Sequence, residues 1–275
     1  MNNHLNEIQA NVFVLTIGAD KKKESDRFLS ESVLAMQISG QLALETNNDR
    51  ITMNPGNFLL VRKHQFVKVT KSPSETEPHK AMLLTFDEEV LRNYSLENRI
   101  ENAEKYNGPF NILFTENAFL RGLFSSLIPY TGNLTFLNSK LIETKIKETI
   151  QLLLLTKPEL QNFLFDFSAP HKIDLEKFML SNFQFNVPIE HFAQLTGRSL
   201  AGFKRDFQKV FGVPPRQWLQ RKRLKEAYYQ IQKYNKKPSA IYLELGFESL
   251  AHFSDSFKKM FGVLPSKLHQ HESME

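Results

Sequence analysis

Ser199-Leu-Ala-Gly-Phe203-Lys-Arg-Asp-Phe207-Gln-Lys-Val-Phe211-Gly212-Val-Pro-Pro215 is written again fifty residues on, as Ser249-Leu-Ala-His-Phe253-Ser-Asp-Ser-Phe257-Lys-Lys-Met-Phe261-Gly262-Val-Leu-Pro265. In each copy the apolar residues fall at helical spacing: Leu200, Phe203, Phe207, Val210 and Phe211, then Leu250, Phe253, Phe257, Met260 and Phe261. That spacing marks one buried helix face. Each copy closes on a glycine, which accepts the left-handed conformation that ends a helix, and a proline follows within three residues. Two copies are too few for a solenoid. They describe one device used at two places.

The device is defined by what precedes each copy. Pro188-Ile-Glu-His-Phe192-Ala193-Gln-Leu-Thr-Gly197 leads into the first, and Pro238-Ser-Ala-Ile241-Tyr242-Leu-Glu-Leu-Gly246-Phe247 into the second. Both read as a short helix opened by proline, a tight turn at glycine, and then the repeated helix. This is a helix-turn-helix, whose second helix can lie in a DNA major groove. The units span about 188–211 and 238–261. Two helical hairpins packed together without a ligand would show the same pattern.

Charge bears on that choice. Residues 198–237 hold twelve Lys or Arg (Arg198, Lys204, Arg205, Lys209, Arg216, Arg221, Lys222, Arg223, Lys225, Lys233, Lys236 and Lys237) against only Asp206 and Glu226. From His171 onward the surplus is seven positive charges, and residues 1–170 carry two negative ones, so the whole-chain +5 hides an uneven split. A concentrated basic module is the footprint of a polyanion partner, because neutralising phosphates releases counterions. Between the copies, Pro215 to about Gln232 reads as one helix. Its Leu224, Ala227, Tyr228 and Ile231 share a face. At about 1.5 Å per residue it spans roughly 27 Å. With the width of the flanking units, that could set two reading helices near the ~34 Å of one DNA turn. A basic amphipathic helix bearing Trp218 would also suit a membrane surface or a partner protein.

Residues from about Leu175 to Gln270 resemble the DNA-binding domain of the AraC/XylS family of bacterial transcription regulators. The resemblance is carried by Phe192-Ala193, Ser199 through Phe207, Phe211-Gly212-Val213, Arg223-Leu224 with Ala227, Ile241, Gly246-Phe247-Glu248-Ser249, His252-Phe253, and Phe257 through Pro265. It implies that bases are read from exposed early positions of each second helix. Here these are Ala201, Lys204 and Arg205, then Leu250, Ala251, His252, Ser254 and Asp255. Lys204 and Arg205 could reach guanine O6 and N7; contact with phosphate alone, or plain solvation, is the alternative. Ala201 offers at most a methyl contact to thymine. Ser199 and Ser249 suit helix N-caps that also touch phosphate. Lys209, Arg221, Arg223 and Lys258 are further phosphate candidates. Two departures stand out: Asp255, where relatives carry a basic or neutral residue, and Tyr242, where a small residue is usual.

The 275 residues suit two domains, 1–168 and 172–270, joined at Ser168-Ala-Pro-His171. No cysteine is present, which excludes disulfides and thiolate metal sites. The first residues show no signal peptide, and no apolar run approaches a membrane span. A cytoplasmic protein is expected. Residues 8–86 read as short strands: 12–17, 33–38, 41–44, 58–61, 66–69 and 81–86. Ser39-Gly40, Asn47-Asn48-Asp49 and Asn54-Pro55-Gly56-Asn57 mark turns between them. Such spacing suggests a sandwich or jelly-roll barrel, and Pro55 to Val61 resembles the turn-and-strand of a cupin. The expected fold is therefore α+β in two domains, a cupin-like barrel followed by helices over about 87–167, then an all-α domain with two helix-turn-helix units on one long helix.

Enzymatic activity is not expected. His4, His64 and His79 form no metal-ligand pattern, and His269-x-His271 lies in a terminal tail. No nucleophile elbow, P-loop or dinucleotide motif occurs, and neither cofactor nor metal is expected. Leu123, Leu127 and Ile128, then Leu137, Leu141, Ile142, Ile146, Ile150, Leu153 and Leu154, form helical stripes. These would pack on their own barrel or, as the resemblance implies, make a homodimer interface. The resemblance also implies promoter DNA and RNA polymerase as partners, with activation commoner than repression. The first half would answer to a small molecule or to a partner protein. A non-specific nucleic-acid binder is the more distant reading.

Overall fold

The structure, a computed structural model, describes residues 13–17, 21–47, 49–100, 106–131, 138–168 and 172–268. The chain divides into two compact units, 1–169 and 170–275. The expected linker residues 169–171, Leu137, His4, and His269 and His271 lie outside the described residues.

The first unit holds two antiparallel sheets. One has the order β1 (Phe13–Ile17), β8 (Lys80–Phe86), β3 (Ser32–Ser39), β6 (Phe58–Val61), β9 (Asn111–Phe114). The other has β2 (Lys23–Leu29), β7 (Gln65–Ser72), β4 (Gln41–Glu45), β5 (Arg50–Met53). Three strands were not legible in the sequence. β2 is mostly polar, Lys-Glu-Ser-Asp-Arg-Phe-Leu, because it is an edge strand with solvent beside it. β5 is four residues at the opposite edge. β9 interrupts the region read as wholly helical and pairs with β6 from Phe58↔Phe114 to Val61↔Asn111.

Helices α1 (Glu88–Glu97), α2 (Ala118–Thr131), α3 (Ser139–Thr156) and α4 (Leu160–Leu164) follow β8, with β9 between α1 and α2. Asp87 caps α1 by accepting from the Glu89 and Val90 amides, and Asn138 caps α3 by accepting from Leu141. The helices cover one face of the five-stranded sheet. Leu34, Phe58, Leu60 and Leu84 pack there with Phe124, Ile146, Ile150 and Leu153. The residues between them along the strands, Ala35, Leu59 and Val61, point the other way and meet Leu42, Leu44, Met53 and Val67 of the second sheet. This explains why β6 is apolar at every position: both its faces are covered. Leu123, Leu127, Ile146, Ile150 and Leu153 of the expected stripes are spent on this core, whereas Ile128 of the stripes is 51% exposed, and Leu155, outside them, 81%.

Between the sheets lies a cavity of about 280 Å³, lined by Val33, Ala35, Leu59, Val61 and Val67 among others, with Arg27 and Lys71 also on its wall. His79 is fully buried, and neither ring nitrogen has a protein partner. Burial, then Lys71, lowers its pKa to about 4. Among the described residues no helix is long and apolar enough to cross a membrane.

Candidate nucleic-acid interface

The second unit is all helix: α5 (Leu175–Asn182), α6 (Ile189–Leu195), α7 (Leu200–Phe211), α8 (Pro215–Tyr234), α9 (Pro238–Ile241) and α10 (Leu250–Phe261). A single 3-10 turn follows at Pro265–Lys267. Each half is built by the same local rules. Ser199 Oγ accepts from the Gly202 amide, and Ser249 Oγ from His252, both at 3.2 Å. Gly212 and Gly262 end their helices at φ 71° and 77°.

Both repeated helices pack on α8 through an aromatic triad. Phe207 and Phe211 meet Trp218 at centroid distances of 5.7 and 4.6 Å; Phe257 and Phe261 meet Tyr228 at 6.2 and 4.8 Å. Trp218 is therefore a half-buried packing residue between α7 and α8. Leu224, Ala227 and Ile231 of α8 join Ile241, Phe253 and Phe257 in the second core. Twenty residues at about 1.5 Å give α8 a length of roughly 30 Å.

The turns differ in their fastening. In the first, Gly197 stands at φ 64°, and buried Thr196 donates its hydroxyl to the Phe192 and Ala193 carbonyls at 2.9 Å. Arg198 donates to the carbonyls of Ile173 and Thr196 and pairs with Asp206 at 3.2 Å. Asp206 also receives Lys172 at 3.3 Å and Arg205 at 3.2 Å. Its partial burial raises the carboxyl pKa, but Arg198, Lys172 and Arg205 together bring it below the usual aspartate value.

In the second turn Gly246 stands at φ 75°, and a Cβ there would lie 2.6 Å from the Gln184 carbonyl oxygen and 2.8 Å from Arg223 Cζ. Arg223 donates to the carbonyls of Phe183 (2.7 Å), Phe185 (2.8 Å) and Gly246 (3.0 Å). Arg223, expected at a phosphate, thus has its guanidinium held by three backbone oxygens. Tyr242 sits half-buried just past α9, which has four residues where α6 has seven.

The remaining candidates line up on two outward faces. Ala201, Lys204, Arg205 and Lys209 are exposed on α7, with Arg205 69% open. On α10, Leu250, Ala251, His252, Asp255 and Lys258 are exposed, while Ser254 is half-buried on the flank. His252 leans on Phe247, 5.9 Å between rings. Arg221 is exposed on α8. Two α8 polar residues escaped the sequence reading of the site. Arg216 and Gln220 line a cleft of about 570 Å³ with Asn186, Glu248 and His252, and Gln220 donates to Ser256 of α10 at 3.2 Å. Arg216 was counted only as one charge of the basic run, and Gln220 had no signal beyond its position on the second turn of α8.

Comparison with known proteins covers both units. Residues 192–271 match a family model described as a helix-turn-helix domain, and residues 32–164 match one described as the ExsA N-terminal regulatory domain. No curated protein matches by sequence. Among solved structures, a probable AraC family transcriptional regulator from Rhodopseudomonas palustris is 30% identical over 35% of this chain and 92% of its own, with a TM-score of 0.31. An apo point variant of ToxT from Vibrio cholerae is 15% identical over 94% of this chain and 97% of its own (TM-score 0.44). Wild-type ToxT with an unsaturated fatty acid bound is 15% identical over 97% and 96% (TM-score 0.41).

Proposed function

This chain belongs to the AraC/XylS family of DNA-binding transcription regulators, and we propose that it reads promoter DNA with α7 and α10 in two successive major grooves. The observation that carries this reading is the repeat itself: two serine-capped, glycine-ended helices, each with an exposed polar face, both packed through aromatic triads on one long helix. Two reading helices on one rigid helix suit neighbouring major grooves, ~34 Å apart. Lys204 and Arg205 are the principal base readers. Arg205 leaves Asp206 to do so, and Arg198 and Lys172 remain behind to hold that carboxylate. Ala201, Leu250, Ala251, His252 and Ser254 supply closer or weaker contacts, and Ser199, Lys209, Arg221, Ser249 and Lys258 meet phosphates.

The protein acts in the cytoplasm as an activator that touches RNA polymerase, and it dimerises through the first unit, where Ile128 of α2 and Leu155 of α3 remain exposed. It answers to an effector at that unit. The cavity between the sheets favours a small molecule over a protein. Its apolar wall asks for an apolar body, and Arg27 and Lys71 for an acidic group on it.

Selection from random duplexes with the full chain at about 0.15 M salt tests the reading. Two short boxes about 10–10.5 base pairs apart are expected, with Arg205→Ala blurring one of them. Affinity that falls with salt but shows no sequence preference would instead establish a non-specific binder.

A further inference from the structure

Strand β6 and the two residues after it do two jobs within five residues. Leu59 and Val61 project into the inter-sheet cavity. The next two residues, Arg62 and Lys63, grip the segment on which the chain leaves the first unit. Arg62 makes an ion pair with Asp166, the two side chains 13% and 7% exposed. Its guanidinium lies over the rings of Tyr106 and Phe110, at 5.0 and 5.2 Å, and its amide donates to the Phe110 carbonyl at 2.9 Å. Asp166 also accepts from the Ser168 amide at 3.0 Å and from the Ser168 hydroxyl. Lys63 lies over Phe167 at 5.8 Å with Arg92 at 4.3 Å, and both cations pair with Glu88. Phe165 stacks on Tyr94 at 5.8 Å, and the Lys63 amide donates to Ser32 Oγ, next to Val33 of the cavity wall.

This is more fastening than the end of a domain needs. Four consecutive residues, Phe165 to Ser168, each have a named partner, and the fastening charges are continuous with a cavity-lining strand. Interiors are close-packed, so an object entering the cavity cannot displace Val61 without moving its neighbour Arg62. A buried ion pair adds little net stability, but separating its partners is costly, so the two move together.

We propose that Arg62 is a positioning residue that converts occupancy of the inter-sheet cavity, through its pair with Asp166, into the direction in which the chain leaves the first unit, and so into DNA affinity. This rests on the reading of the chain as an effector-controlled DNA binder.

Ala35, on the cavity wall, allows a test without a known effector. Ala35→Leu puts an isobutyl group where a ligand would sit. Four full-length proteins are compared on the selected duplex: wild type, Ala35→Leu, Arg62→Met and the double variant. Thermal melting confirms that each is folded. Filling the cavity is expected to shift Kd at least fivefold when Arg62 is present and less than twofold when it is Met. Asp166→Asn should abolish the shift in the same way, and it replaces Arg62→Met if that variant fails to fold. Equal shifts in both backgrounds, or none in either, would overturn the proposal while leaving DNA binding intact. A wild-type chain that selects no duplex would instead sink the DNA-binding reading, and the proposal with it.

Discussion

The two helix-turn-helix units share their caps, their glycine ends, their aromatic triads and an arginine held by backbone carbonyls, yet they differ in what else fastens them. The first is tied through a carboxylate: Asp206, on the repeated helix itself, gathers Lys172, Arg198 and Arg205, and Arg198 also holds the Ile173 and Thr196 carbonyls. At the equivalent place in the second stands Ser256, bonded to Gln220, and the unit is tied from beneath by Arg223 and a crowded Gly246. The first arrangement leaves a guanidinium that can be exchanged for a ligand. The second consumes its guanidinium in architecture. A repeated fold therefore does not imply repeated chemistry.

The contrast is most easily broken at the glycines. Gly246→Ala should cost about 3–5 kcal/mol, because left-handed strain adds to overlap with Gln184 and Arg223. Gly212→Ala, where φ is 71° but an added Cβ would meet nothing within 4 Å, should cost only about 1–2 kcal/mol. Urea unfolding of the full chain compares them, and equal losses would contradict the asymmetry.

Next comes the half-buried cation beneath the second turn. Replacing Arg223 by Gln leaves backbone carbonyls without their charged donor and should lower stability by about 2–4 kcal/mol. The salt dependence of DNA binding should hardly change. Arg221→Gln should do the reverse, leaving stability within ~0.5 kcal/mol and reducing the salt slope by about 1. A slope change with Arg223→Gln would return it to the phosphate contacts.

At the reading faces the effects are smaller and sequence-specific. Arg205→Ala should cost about 1–3 kcal/mol of discrimination within one box and nothing in the other. Asp255→Asn should tighten binding to any duplex, since it removes a negative charge from the surface of the second reader. Competition titrations against single-base variants of the selected site measure both.

The smallest effect is in pH. Asp206 has a lowered pKa when folded, so its contribution is present above the ordinary aspartate value and is lost as pH falls through the lower folded one. Acid unfolding below about pH 4 should therefore weaken by replacement with Asn, whereas Ser256→Ala should leave the pH profile unchanged. Melting curves between pH 2 and 5 decide it.

The sequence by itself determined whatever depends on neighbours a few residues away. The Phe203-Phe207-Phe211 stripe, the Ser199 and Ser249 caps and the glycine stops could be read directly, because a helix closes its own hydrogen bonds within four residues. The family resemblance and the basic surplus then set DNA as the partner. What only the tertiary structure decided depends on distant partners. Arg223 looked like one more cation in a basic run, but its acceptors lie 23 to 40 residues away. β2, β5 and β9 have too little apolar periodicity to declare themselves, since a strand is completed by whatever chain pairs with it. The same holds for the cavity and for the Arg62–Asp166 pair, which spans 104 residues. Local order is encoded where it forms, whereas pairing, cavities and buried charge exist only once remote segments have met.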